Sequence, residues 1–319
     1  MTFVAKITAP SHICIYRNIE VGKETVRFLR LLLATGHEGP LVLDLSKTRF
    51  VSGAASVMLF AHVNFLQLKY GSKNRVKCLL PSKKDNPEGH NCIVATQLSR
   101  ALMSGTLASL EQLVADEVPY QSSNEPMLHA DITVKQLTRR LKSPHTQLMS
   151  MLGSAISEAT LNVRHHAYTH EPETFCDSLE SRWWQYAWFD KADGRFIFLI
   201  YDLGLGILKT YRNSLSGLRL DPDAHILEEA LSFGYSRFSE TNPERGCGSE
   251  DIKHPIRSGE LLLICCDDLR YIYEGTKADI DTDSDKASGR AKIEREIYRI
   301  DGNLVEWTFE TTDGAKEAQ

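Results

Sequence analysis

Apolar and polar positions change period along the chain, and those changes lay out its elements. Leu41-Val42-Leu43-Asp44-Leu45 is a short, nearly continuous apolar run of the kind a buried strand requires. Ala54 to Leu68 follows, with Val57, Phe60, Ala61, Val63 and Phe65 at helical spacing. Val76 to Leu80 predicts a second buried strand, stopped by Pro81, and Cys92 to Met103 predicts a second helix. Strand, helix, strand, helix implies an α/β unit whose sheet is covered on at least one face.

The stretch Gln121-Ser122-Ser123-Asn124-Glu125-Pro126 has the composition of a linker or exposed turn. It divides the chain into a first domain over residues 1–120, a linker over 121–134 and a second domain over 135–319. In the second, Val134 to Tyr168 reads as helical. Trp183 to Phe189 and Phe196 to Tyr201 read as strands joined across Asp193-Gly194, a hairpin signal. A helix from Ala224 to Phe233, a polar loop containing Gly, and strands at Leu261 to Cys266 and Leu304 to Phe309 complete an α/β pattern without internal repeats.

A length of 319 residues suits two domains that each bury a core. The formal net charge of −5 argues against indiscriminate binding to nucleic acid or anionic lipid. No apolar run approaches the roughly 20 residues of a membrane-spanning helix. Met1 to Pro10 has no apolar core of signal-peptide length, so a cytoplasmic protein is expected. The seven cysteines form no CxxC pair and no zinc-site spacing, which fits small buried residues in a reducing compartment. Asp279, Asp281, Asp283 and Asp285 space carboxylates as calcium loops do, but no frame supplies both the turn Gly and the closing Glu.

Three segments carry candidate chemistry. Around Glu158, Leu152, Ile156, Ala159 and Val163 would face a core, whereas Ser154, Glu158, Asn162 and His165 form a polar stripe. Glu158 and Asn162 then sit one turn apart on one face. A carboxylate that polarises water, beside an amide oxygen that ligates Mg2+, is what metal-assisted phosphoanhydride hydrolysis needs. Asp202-Leu203-Gly204-Leu205-Gly206-Ile207 directly follows a strand. An Asp fixed there can accept from an exocyclic amine, and its glycines allow backbone to approach a ligand. Arg245-Gly246-Cys247-Gly248 precedes a possible helix start at Ser249-Glu250-Asp251-Ile252, an arrangement suited to cradling phosphates.

In this order the segments resemble the GHKL ATPases, the class of gyrase B, heat-shock chaperones and sensor histidine kinases. Glu158 to Tyr168 resembles the N box and Asp202 to Ile207 the G1 box. Phe233-Gly234-Tyr235-Ser236-Arg237 with Arg245 to Gly248 resembles the lid and G2 box. The resemblance covers about residues 135–312. It implies a Bergerat-type α/β sandwich, with ATP held between helices and a mixed sheet. Glu158 would be the general base, Asn162 the Mg2+ ligand and Asp202 the adenine contact. Gly204, Gly206, Gly246 and Gly248, with Arg245, would line the nucleotide. The first domain resembles, more faintly, a STAS domain, through Leu43-Asp44-Leu45-Ser46 and Arg49-Phe50-Val51-Ser52-Gly53-Ala54. That register puts Gly53 at the acceptor position, flanked by Ser52 and Ser56; Ser52 also reads as a helix N-cap.

The resemblance implies a nucleotide-dependent switch or ATPase acting on a protein partner, with room for a homodimer; no membrane partner is expected, and the charge balance does not indicate nucleic acid. The alternatives are an anti-sigma-type protein serine kinase and an assembly module that binds ATP without turning it over.

Overall fold

The computed structural model describes residues 4–140, 146–168, 179–190, 194–214, 222–232, 248–276 and 289–310. The chain is mixed α/β and divides into two units, Met1–Asn124 with Glu171–Ala187, and Glu125–His170 with Trp188–Gln319.

The first unit contains β1 (Ala5–Thr8), β2 (His12–Ile13), α1 (Ile19–Glu38), β3 (Leu41–Asp44), β4 (Phe50–Val51), α2 (Gly53–Lys69), β5 (Val76–Leu79), α3 (Pro87–His90), α4 (Leu98–Met103), α5 (Leu107–Ala115) and β6 (Tyr120–Ser123). The predicted strands are present as β3 and β5. They flank no turn of their own but join β1 in a parallel sheet of order β1-β3-β5, with Ala5 opposite Leu41 and Leu41 opposite Val76. Strands β2 and β4 form a separate parallel pair.

Ser52 caps α2 by accepting from the Ala55 amide at 3.3 Å. Every residue from Ala54 to Leu68 is buried. The reason lies in elements far along the chain. The Tyr120 hydroxyl of β6 donates to Ser56 Oγ at 3.0 Å, and Trp184 Nε1, from a strand that returns to this unit, donates to Asn64 Oδ1 at 2.9 Å. On another side, α1 brings Gly36 so near Leu66 that an added Cβ would lie 2.2 Å from it. A helix enclosed in this way must satisfy its polar groups internally. Asn64 Nδ2 accordingly donates to the Ser104 carbonyl at 2.7 Å, and Gln67 Nε2 to that of Leu102 at 3.0 Å.

The helix expected over Cys92–Met103 is broken. A wider π-type turn occupies Asn91–Ala95, Gln97 is left-handed at φ 68°, and α4 starts only at Leu98. The expected linker, residues 121–134, holds most of β6 and the first turns of α6 (Pro126–Arg140). Strand β6 pairs antiparallel with β7 (Trp183–Asp190), Tyr120 opposite Tyr186. Gln121 and Ser122 are buried because their polar groups are used: Ser122 Oγ donates to the Trp183 carbonyl at 2.7 Å. Pro126 stands at the start of α6, where a missing N–H costs nothing.

The second unit continues with α7 (Thr146–Asn162), which runs into a π-type turn over Val163–Ala167. Then come β8 (Arg195–Asp202), α8 (Ile207–Ser214), α9 (Asp223–Ala230), α10 (Gly248–Lys253), β9 (Leu261–Gly275) and β10 (Gly289–Glu310). Strand β10 pairs antiparallel with both β8 and β9, Leu304 lying opposite Tyr201 and Cys265. The resemblance implied a mixed sheet; the ladders described in this unit are antiparallel. Both β9 and β10 exceed their predicted lengths, because their outer halves pair through residues such as Arg270, Glu274, Lys292 and Glu294, whose charges mask the strand period. Phe196 stacks on Phe309 and on Phe189 in the core. Helix α10 packs on this sheet, its Ile252 carbonyl accepting from Trp307 Nε1 at 2.9 Å. No described helix is long and apolar enough to cross a membrane.

Candidate functional site

Helix α7 shows the two faces that its spacing predicts. Leu152, Ile156, Ala159 and Val163 are buried, while Ser154 is exposed and Glu158, Asn162 and His165 are partly so. Among the described residues, neither the Glu158 carboxylate nor the Asn162 amide makes a side-chain hydrogen bond, so both are available to a ligand. Burial raises the pKa of Glu158, and the Asp251 carboxylate of α10 raises it further. A carboxyl held in that way is a better proton acceptor than a solvated one.

Asp202 ends β8, with 3% of its surface exposed. Its Oδ1 accepts from the Gly204 amide at 2.8 Å, and its Oδ2 from Asn303 Nδ2 at 3.0 Å. Desolvation nevertheless dominates and pushes the carboxyl up to about 6, against those hydrogen bonds and one from the Asn303 backbone. Asn303 Oδ1 in turn accepts from Ile207 N, the first residue of α8, at 2.9 Å. One amide therefore ties the acid to the start of the next helix. Gly302 permits this arrangement: at φ 74° it is left-handed, and an added Cβ would stand 1.9 Å from the Asp202 carbonyl oxygen.

The segment after Asp202 is clamped to the tail of α7. Leu205 N donates to the Ala167 carbonyl at 2.7 Å, Thr210 Oγ1 donates to that of His166 at 3.2 Å, and the Tyr168 hydroxyl accepts from Leu203 N at 3.2 Å. A Cβ on Gly204 would lie 2.4 Å from the Ala167 carbonyl oxygen, so this position requires glycine for close approach. Gly206 requires it for its left-handed φ of 84°.

The structure thus brings Asp202, Gly204 and Gly206 against the end of the helix that carries Glu158 and Asn162. Gly248 begins α10, the helix that presents Asp251 toward Glu158. Arg245, Gly246, Cys247 and the segment Phe233–Arg237 lie outside the described residues, as do Asp279 to Asp285. Among the described residues, no group of three or more His, Cys, Asp or Glu side chains could hold a metal ion. A Mg2+ ion held by Asn162 and by phosphate oxygens would need no such group.

Asn303, Gly302 and Asp251 were not singled out in the sequence. Gly302-Asn303 is a turn-forming pair ahead of an apolar strand, which marks a bend. Only the β8–β10 register, with Asn303 opposite Asp202, reveals its partner. Asn303→Ala should leave the Ile207 amide without its acceptor and lower stability by about 1–3 kcal/mol. It should also raise the Asp202 pKa, because the lost hydrogen bond holds it down. Urea titration and the carboxyl carbon shift of Asp202 check the two effects.

No family model and no curated protein sequence matches the chain. The site is therefore characterised by its own chemistry.

Proposed function

We propose that the second unit binds Mg-ATP in the GHKL manner and works as a nucleotide-dependent switch or ATPase in the cytoplasm, acting on a protein partner. One observation carries this reading: the buried Asp202 turn is clamped to the tail of α7, whose polar stripe holds a carboxylate and an amide that make no side-chain hydrogen bond among the described residues. From Ala167 back to Glu158 the helix rises roughly 13 Å, at about 1.5 Å per residue. The two ends of that strip suit the two ends of a nucleoside triphosphate.

Asp202 would accept from the adenine amine, and Gly204 and Gly206 would let backbone lie near the base. Glu158 would orient and deprotonate water, and Asn162 would offer its amide oxygen to Mg2+. Arg245, Gly246 and Gly248 would line the phosphates. Bound Mg2+ would supply charge neutralisation at the phosphates. In the first unit, the parallel β1-β3-β5 sheet and the entry of α2 from its Ser52 cap support a STAS-like reading. One observation favours the bind-only alternative. Asp202 is almost fully covered, so a nucleotide must part the turn to reach it. Release of phosphate, transfer of labelled γ-phosphate to a protein, or neither, distinguishes ATPase, serine kinase and assembly module.

Base choice is the direct test. An acceptor at Asp202 should favour ATP over GTP, because guanine presents an oxygen where adenine presents its amine. Equal affinities would remove Asp202 from the site. The acid also predicts opposite pH slopes for stability and binding. Its folded pKa of about 6 lies above the 3.8 of a solvated aspartate, so its contribution to stability is complete below the unfolded pKa and is lost as pH rises through 6. The loss amounts to roughly 3 kcal/mol for a group this buried. ATP affinity should rise over the same interval, as the carboxyl becomes an acceptor. The difference between wild type and Asp202→Asn in urea titrations and calorimetry from pH 4 to pH 7 isolates both slopes.

A further inference from the structure

A cavity of about 390 Å³ in the first unit is lined by His12, Arg17, Arg49, Phe50, Glu88, Asn91 and Cys92. The chain builds its walls firmly. Strands β2 and β4 pair His12 with Phe50 and Ile13 with Val51. Alternation sends Ile13 and Val51 into the core and leaves His12 and Phe50 outward, their rings 6.3 Å apart. Phe50 keeps 40% of its surface exposed, an uncovered aromatic wall. The opposite wall is held by Asn86, which donates to the Thr48 carbonyl at 2.7 Å and caps α3 by accepting from Gly89 N at 3.0 Å. Gly89 approaches so closely that a Cβ would meet the Thr48 oxygen at 1.9 Å. That docking sets Glu88, Asn91 and Cys92 beside Arg49, whose Nε donates to Glu88 Oε2 at 2.8 Å.

The charges do not balance. Among the described residues, Glu88 answers Arg49 through its Nε alone, and Arg17 has no ion-pair or hydrogen-bond partner. The lining is mostly apolar and carries two arginines, which suits an anion with a flat apolar body: guanidinium groups match phosphate oxygens, and the uncovered ring offers a stacking face.

We propose that this cavity binds a small aromatic phosphate monoester, with Arg17 and Arg49 on the phosphate and Phe50 against the ring. The site is separate from the nucleotide reading of the second unit and stands or falls without it. Phenyl phosphate and inorganic phosphate are the probes, titrated into the full-length chain by calorimetry.

Cys92, in the cavity wall, reports location through its rate of alkylation, followed peptide by peptide by mass spectrometry. Phenyl phosphate should bind more tightly than inorganic phosphate and slow alkylation of Cys92. Arg17→Ala and Arg49→Ala should each weaken phenyl phosphate at least about tenfold, the usual scale for losing a charge-assisted contact. Phe50→Ala should erase the preference for phenyl phosphate while retaining inorganic phosphate. Circular dichroism verifies that each variant is folded; should Arg49→Ala unfold, Arg17→Ala alone carries the test. No binding up to about 10 mM phenyl phosphate, or binding that neither protects Cys92 nor responds to Arg17→Ala, would overturn the proposal.

Discussion

Gly204→Ala is expected to cost about 2–4 kcal/mol of stability and most of the proposed ATP affinity, although it adds a single methyl group. The added Cβ would lie 2.4 Å from the Ala167 carbonyl oxygen, 2.5 Å from the Ala167 Cβ and 2.7 Å from its carbonyl carbon. None of these is the free end of a flexible side chain, so the strain falls on backbone. The turn must withdraw from α7, and the 2.7 Å hydrogen bond from Leu205 N to the Ala167 carbonyl goes with it. Asp202 moves too, since the Gly204 amide is one of its donors. Gly39→Ala is the control. Nothing lies within 4 Å of its added Cβ, and its φ of −174° is extended backbone open to any residue. Urea titration of both variants, with ATP calorimetry on the folded fraction, should show loss only at Gly204. A Gly204→Ala protein with wild-type stability and affinity would mean that the clamp does not hold the turn.

That clamp also shows what could be read from the chain and what could not. Helical spacing was enough to place Glu158 and Asn162 on the polar face of α7, because Leu152, Ile156, Ala159 and Val163 keep a clean apolar period. Asp202 was legible as a strand end, because Phe196 to Tyr201 is almost wholly apolar. The need for glycine at 204 was legible only as a general allowance. Its cause is a carbonyl at Ala167, brought there by a turn wider than a regular helix, which spacing does not encode. Asn303 lies about a hundred residues beyond its partner Asp202 and reaches it by strand register alone. Composition misled at Gln121–Ser123, where polar side chains sit in a buried strand because Ser122 finds the Trp183 carbonyl and Arg182. Helix α2 was recognised as a helix, but its full enclosure depends on Tyr120 and Trp184, contacts of long sequence separation.

The polar face of α7 yields the second large effect, because Glu158 and Asn162 share it but should fail in different ways. Glu158→Gln keeps the side chain's size and removes its ability to take a proton. If Glu158 deprotonates the attacking water, turnover at saturating ATP should fall about a hundredfold or more, the scale for losing a general base, with Mg-ATP affinity unchanged. The fold should not suffer. Burial and the Asp251 carboxylate both disfavour the charged form of Glu158, so a neutral amide removes an unfavourable interaction at neutral pH. As pH falls and Glu158 protonates in the wild type, the stability difference between the two proteins should close. Asn162→Ala should instead lose the part of ATP affinity that depends on Mg2+, while affinity measured in chelator stays the same. Calorimetry with and without Mg2+, beside phosphate release, separates the two signatures. Loss of ATP binding in folded Glu158→Gln would refute the base assignment. Tight ATP binding by the wild type, with neither phosphate release nor transfer, would place the protein among assembly modules that read the nucleotide without consuming it.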